Sequence, residues 1–313
     1  MEIFRGRVPQ QLRPEPRCIT LGNFDGVHRG HQALIQRVIE RAKRNGLASL
    51  VMTFDPLPQA FFAPESAPAR LTRPAERLVL LRDCGVDAVW LVPFNRALAA
   101  TSAESFIDDM LIGQAGARHV VLGDDLRFGQ ARRGDLNMVA ERGRRHGVTA
   151  EALPSFLDAQ DQRISSTVVR AALAEGDLKR AESLLGRPYA LSGRVMYGQQ
   201  LGRELGFPTA NINFSRYQPP LRGVFVVEVE GVEAGRRWPG VANLGVRPAV
   251  GGKACWLEVH LLDFAGDLYG RRLRVRLQHR LRGEVKFDDL PALQQQILKD
   301  VGAARQWHQE NQT

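Results

Sequence analysis

The feature that most constrains this 313-residue chain is a change in the spacing of its apolar residues within "LLGRPYALSG", residues 184–193. Before it, "CITL", "ASLVMTF", "DAVWLV" and "HVVLG" are short, β-branched apolar runs of the kind seen in strands buried on both faces. Helical patterns separate them. In "HQALIQRVIERAKRNG" the apolar Leu34, Ile35, Val38, Ile39 and Ala42 share one face, and Gly46 is placed to stop the helix. "TSAESFIDDMLIG" opens with Thr101 and Glu104 spaced as a capping box. This order predicts an α/β doubly wound parallel sheet, whose ligands lie outside the carboxyl ends of the strands. After the change, "GVFVVEVEG", "KACWLEVHLLDF" and "RRLRVRLQHRLR" alternate with period two, which predicts a small antiparallel barrel or sandwich. "DDLPALQQQILKDVGAARQW" reads as a closing helix. Two domains are therefore expected, 1–186 and 187–313, in keeping with the length.

Composition narrows the function classes. No apolar run approaches the roughly 20 residues needed to span a bilayer, and "MEIFRGRVPQ" lacks a signal-peptide core. Cys18, Cys84 and Cys255 are scattered without a CxxC pair, so neither a disulfide framework nor a zinc knuckle is expected. A cytoplasmic protein with no membrane partner is the expectation. The net charge of +9 favours anionic partners, either nucleic acid or phosphorylated small molecules. The basic residues form no block and are not interleaved with aromatics, which argues against nucleic acid.

Polar residues collect at the predicted strand ends. "CITL" runs into Gly22, Asn23, Phe24 and Asp25, "VMTF" into Asp55, and "VVLG" into Asp124 and Asp125. Behind the first end, "GNFDGVHRGH" places His28 and His31 at a helix start. Three readings are open: local hydrogen bonds, a metal pair, or phosphate chemistry. A metal needs a third ligand, which no nearby residue supplies. A helix N-terminus offers unpaired N–H groups to an anion, histidines three apart face the same anion, and Gly30 leaves space for its approach. "RISSTVVRAALAEGD" places Ser165, Ser166 and Thr167 before a second helix, flanked by Arg163 and Arg170. Such hydroxyls ordinarily cap a helix; with arginine on the first turn they also cradle a polyphosphate. Two such starts in one sheet point to a nucleoside triphosphate, bound without a Walker motif.

The second half has its own candidates. In "GRELGFPTANINF" an extended chain puts Thr209, Asn211 and Asn213 on one face and Ala210, Ile212 and Phe214 on the other. The polar face is either the outside of an edge strand or a set of oxygens for Mg²⁺ carrying ATP phosphates. In "ACWLEVHLL", Leu257, Val259 and Leu261 face a core, while Trp256, Glu258 and His260 face away.

"GNFDGVHRGH", "RISSTVVR" and "GDDLRFG" together resemble the HxGH nucleotidyltransferases, and more narrowly the FAD synthetase module of the prokaryotic bifunctional riboflavin kinase/FAD synthetases. "GRELGFPTANINF", "GVANLGVRP", "ACWLEVHLL" and "RLRGEVKF" resemble the riboflavin kinase module of that family, and the resemblance runs from about residue 15 to 308. It implies a Rossmann-like FMN adenylyltransferase followed by a small β-barrel kinase with a closing helix. In the first, His28 and His31 would donate to the α-phosphate of ATP, with Gly22, Asn23, Phe24, Asp25 and Gly30 completing the site. Ser165, Ser166, Thr167 and Arg170 would hold the departing pyrophosphate, and Asp55, Asp125 and Phe128 would face FMN. In the second, Gly202, Arg203, Gly206, Pro208, Thr209 and Asn211 would bind ATP, the last two with Mg²⁺. Gly223, Val224, Asn243, Arg247, Arg282 and Glu284 would surround the flavin, and Glu258 would take the proton of its 5′-hydroxyl. The implied partners are small molecules: ATP as co-substrate, with riboflavin, FMN and FAD as substrates and products. The implied assembly is a monomer or weak homo-oligomer. Leu57, Leu126 and Ala249 depart from residues usual in the family, the first two at expected flavin or adenine contacts and the third near the kinase flavin loop. An HxGH adenylyltransferase for another phosphorylated acceptor is the alternative, against which the "PTAN" half argues.

Overall fold

Six parallel strands build the first sheet in the order β1-β4-β3-β2-β5-β6. They are β1 Glu2–Arg5, β2 Arg17–Leu21, β3 Ala48–Asp55, β4 Ala88–Pro93, β5 Ala117–Gly123 and β6 Thr149–Leu153. The four central strands are those predicted by the apolar runs, and successive residues pack on opposite faces. Ile19, Leu21, Leu50, Met52, Trp90 and Val92 join one core, while Cys18, Val51, Val89 and Leu91 join the other. Helix α1, Arg29–Asn45, lays Leu34, Ile35, Val38, Ile39 and Ala42 on the second core, and Gly46 ends it at φ 63°. From β2 the chain winds outward through β3 and β4, then crosses to β5, so the switch point lies between β2 and β5. The computed structural model describes residues 1–6, 15–198, 202, 205–214, 217–249 and 252–311.

One predicted cap shifts by a residue. The Thr101 hydroxyl donates to the Ala97 carbonyl at 2.9 Å, closing the preceding turn. Ser102 caps instead, accepting from the Ser105 N–H at 3.1 Å.

Glu151 on β6 fastens α1 to the sheet. It accepts from Arg37 Nε at 2.8 Å and from Arg41 Nε at 2.9 Å. The Arg41 hydrogen bonds, opposed by burial and reinforced by Arg37, pull its carboxyl from 4.5 down to about 2. A lowered carboxylate contributes stability that is complete above the unfolded value and is lost as pH falls through the folded one. Glu151→Gln is therefore expected to cost about 1–2 kcal/mol near pH 7, since the group is partly solvated. That gap should shrink steadily below pH 4.5, the ordinary value, when melting curves of the two proteins are compared. A gap constant down to pH 3 would show that the ion pairs contribute nothing.

The second unit is a closed barrel in the order β10-β11-β8-β7-β12-β9, antiparallel throughout. Its strands are β7 Ala190–Met196, β8 Ala210–Asn213, β9 Gly223–Glu230, β10 Trp238–Ala249, β11 Gly252–Leu261 and β12 Arg272–Arg282. Barrel, rather than sandwich, is the architecture. Gly223, at φ 130°, is a glycine by necessity, because a Cβ there would collide with the Arg282 carbonyl. The closing helix Leu290–Glu310 starts at Asp289, which accepts from the Ala292 N–H, and buries Val301 and Ala304 against Val224, Val226 and Val241. Contacts group Ala69–Leu71 and everything from Thr167 onward with this unit, and Met1–Pro68 with Thr72–Ser166 in the other. Helices Ser166–Glu175 and Leu178–Leu185 thus lie before the sequence boundary at 186 but pack mainly with the barrel. The three cysteines are free thiols, and among the described residues no helix is long and apolar enough to cross a membrane.

Candidate active sites

The loop after β2 is held in an unusual path. Phe24 at φ 49° and Val27 at φ 41° occupy the left-handed region, as does Gly26 at φ 82°. Phe24 is fully buried and anchors the turn. Gly22 N–H donates to the Met52 carbonyl at 3.1 Å, and buried Arg77 donates to the carbonyls of Asn23 at 2.9 Å and Phe54 at 2.7 Å. The loop delivers His28 as the N-cap of α1, where its Nδ1 accepts from the His31 N–H at 3.3 Å. The two rings stack with centroids 3.7 Å apart. Local bonding and phosphate binding are therefore compatible: with Nδ1 as acceptor, the neutral ring carries its proton on Nε2, a donor. Gly30 lines the cavity at this helix start and also has a reason within the protein. A Cβ there would lie 3.3 Å from the His28 ring and 3.4 Å from the Ile164 carbonyl, so a side chain would crowd both.

Two cavities open at the switch point. One, of about 320 Å³, is lined by Gly22, Asn23, Phe24, His28, Gly30, His31, Ser165 and Ser166. The other, of about 710 Å³, is walled by Phe54, Phe62, Phe94, Phe106 and Phe128. Leu21, Gly22, Asn23, Asp125 and Leu126 line both. Asp125 pairs with Arg163 at 2.7 Å. Burial works against Asp124, yet hydrogen bonds from the Ser155 hydroxyl and N–H hold its carboxyl below the ordinary carboxylate range. Asp25 is 1% exposed, and its Oδ1 accepts from the Thr72 N–H and hydroxyl, each at 3.0 Å. Its side chain and that of Asp55 are not among the lining groups of either cavity. Thr167 and Arg170 fall in the other unit, where Arg170 Nε donates to the Ala69 carbonyl at 2.7 Å. Of the aromatic wall, sequence reasoning names only Phe128; the others escape it because they come from separate elements. The short helix Pro58–Phe62, which supplies Phe62, carries no amphipathic period. Leu57 is the buried N-cap residue of that helix.

The barrel gathers its candidates more tightly. Glu258 on β11 lies directly opposite Asn211 on β8 and Asn243 on β10. A cavity of about 280 Å³ is lined by these three with Gly202, Thr209, Val224, Arg282 and Glu284. Phe287, the last residue of "RLRGEVKF", also lines it, as do Leu293, Ile297 and Asp300 of the closing helix, which the sequence motifs did not include. Arg282 Nε reaches Asp300 at 3.0 Å and Nη2 reaches it at 2.7 Å, a forked pair on a buried carboxylate. A second cavity, of about 680 Å³, shares Thr209 and Asn211 and adds Pro208, Phe264 and the stacked rings of Tyr197 and Tyr269, 4.0 Å apart. Gly206 turns at φ 86° just before them. Arg203 lies outside the described residues, as do the side chains of Arg247 and Ala249, whose backbones belong to β10.

Asn211 Nδ2 donates to the Thr209 carbonyl at 3.1 Å, which turns its carboxamide oxygen away from that carbonyl. A hydroxyl and a carboxamide oxygen are hard, neutral donors of the type that complete the shell of a phosphate-bound Mg²⁺. Among the described residues no group of three His, Cys, Asp or Glu could hold a metal ion.

The family model for FAD synthetase matches residues 10–168, and that for riboflavin kinase matches residues 185–308. The bifunctional riboflavin kinase/FMN adenylyltransferase of Escherichia coli (strain K12) is 46% identical over 98% of both chains. That of Pseudomonas fluorescens is 48% identical over 97% of both. A crystal structure described as a macrolide-efflux protein from Streptococcus pneumoniae has the same fold, with a TM-score of 0.82, 30% identity, and coverage of 98% of this chain and 100% of that one. With both modules matched in order and relatives nearly half identical from end to end, the chain belongs to the bifunctional riboflavin kinase/FMN adenylyltransferase family.

Proposed function

We infer that the protein converts riboflavin to FMN in residues 187–313 and FMN to FAD in residues 1–186. The observation that carries this assignment is the same in both halves: two cavities share lining residues beside groups suited to phosphate, Gly22 and Asn23 next to His28 and His31 in the first half and Thr209 with Asn211 in the second. In the first half, the cavity beside His28 and His31 would take ATP, and the aromatic cavity would take the isoalloxazine of FMN. An FMN phosphate oxygen then bonds to the α-phosphorus while the bond to the β-phosphate oxygen breaks, releasing pyrophosphate. The nucleophile is already anionic, so the residues have to supply alignment and charge stabilisation rather than a base. His28 and His31 would donate to the α-phosphate oxygens, with Ser165 and Ser166 lining the same cavity.

In the barrel the nucleophile is an alcohol, and a base is needed. The 5′-hydroxyl of riboflavin, in the cavity under the closing helix, would lose its proton to Glu258 as its oxygen bonds to the γ-phosphorus and ADP departs. Thr209 and Asn211, shared by both cavities, would hold Mg²⁺ with the phosphates. Mg²⁺ offsets phosphate charge when bound. Dependence on ATP supports the cytoplasm as the compartment. Incubation with riboflavin, ATP and Mg²⁺, followed by chromatography, should show FMN and then FAD; accumulation of neither would overturn the reading.

The halves should also separate. Fragment 187–313 is expected to make FMN and no FAD, as measured by the same chromatography. Fragment 167–313 should do so with a higher melting temperature, because Arg280 donates to the Glu175 carbonyl at 3.2 Å and lies against Gly176. A folded fragment that leaves riboflavin untouched would show that the first half contributes to the kinase site.

A further inference from the structure

The loop that aims His28 is braced from a residue outside every motif of the site. Residues 24–27 include two non-glycine residues at positive φ, Phe24 and Val27, and such a path persists only where neighbouring structure over-determines it. The ends of the loop are tied by Arg77 to the Asn23 carbonyl and by Gln32 Nε2 to the Val27 carbonyl at 2.8 Å. Its middle is tied to Thr72, at the start of the segment leading into the helix Pro74–Asp83. Thr72 uses both backbone and side chain. Its N–H and hydroxyl donate to Asp25 Oδ1, each at 3.0 Å, and its hydroxyl oxygen accepts from the Gly26 N–H at 3.1 Å. Thr72 and Asp25 are both buried, so these bonds are sheltered from competing water.

We propose that Thr72 is a positioning residue for adenylyl transfer, holding Asp25 and Gly26 so that His28 meets the α-phosphate. It touches no substrate; it acts through the loop. Asp25, placed by the motif among the ATP contacts, is on this account the acceptor through which Thr72 works, since its carboxylate is turned inward. The hydroxyl is the specific requirement, because one oxygen must donate to Asp25 and accept from Gly26 simultaneously. Valine matches the shape of threonine and can do neither.

The inference rests on His28 and His31 forming the adenylyltransferase site, and its test keeps the two claims apart. Full-length Thr72→Val is expected to lower kcat for FAD formation from supplied FMN by about 10- to 100-fold, with KM for ATP and FMN changed less than about threefold. Riboflavin phosphorylation by the same preparation should be unchanged, and a melting curve that keeps the parent's transitions certifies that the first half is folded. Thr72→Ser, which restores the hydroxyl, should return kcat to within about threefold of the parent. If the valine variant is insoluble, Thr72→Ala removes the same hydroxyl and carries the same expectation. A normal kcat in the folded variant, a loss that serine does not repair, or a change confined to KM would each overturn the proposal. His28→Ala, measured alongside, should abolish FAD formation. If His28→Ala remains active, the site assignment fails; if it is inactive while Thr72→Val is normal, only the positioning role fails.

Discussion

Replacing His28 and His31 together by alanine is expected to reduce FAD formation from FMN by at least about 10³-fold, because a single preorganised donor to transition-state charge is worth roughly 10²–10³. Riboflavin phosphorylation should be nearly intact. The structure gives His28 a second task, capping α1 through Nδ1, and its loss should cost about 1 kcal/mol of stability. Such a cost cannot imitate the rate effect, since a domain stable by about 5–15 kcal/mol stays almost wholly folded after it. The measurement is chromatography of products from riboflavin and, separately, from FMN, with a melting curve of each protein. A folded double variant that also loses FMN production would mean that the two activities do not use separate sites.

What could be read in advance was whatever a continuous stretch of chain encodes. The four central strands of the sheet are buried on both faces, so their β-branched runs are unbroken and legible. β1 and β6 are edge strands with mixed burial, and "EIFR" and "TAEAL" carry no such run. The alternation of β11 is equally plain, and it places Glu258 and His260 opposite the core, as read. The sequence does not show that this outer face is covered. It is roofed by the closing helix, whose Leu293 and Ile297 look like ordinary apolar positions until the barrel brings them over Glu258. The phosphate-handling stretches were visible because helix-start chemistry is local. Thr72 and the aromatic wall beyond Phe128 were not, since both depend on long-range contacts: Thr72 meets Asp25 across 47 residues. Asp25 shows the limit most clearly. A carboxylate in a site loop reads as a ligand, and only the fold brings out its burial against Thr72, on which the positioning proposal rests.

Glu258→Gln is expected to lower the riboflavin kinase rate by roughly 10²- to 10⁴-fold, the range of a lost general base. The register is what makes this substitution informative. Glu258 stands between Asn211 and Asn243 on neighbouring strands, in a cavity that the closing helix covers. Glutamine keeps its length, its planarity and an acceptor oxygen, so packing should survive with a stability change under about 0.5 kcal/mol. What it cannot do is take a proton. The loss should therefore appear in kcat, with riboflavin and ATP affinities little altered, because the interaction removed is one made as the 5′-oxygen bonds to phosphorus. The acid limb of the parent pH–rate profile, where a base is silenced by protonation, should be absent from the variant. FAD formation from supplied FMN should continue, since that nucleophile is already anionic and its site is in the other half. Near-normal turnover in Glu258→Gln would remove the base from this account: the cavity would then work by positioning alone, with the alcohol losing its proton directly to the γ-phosphate oxygens.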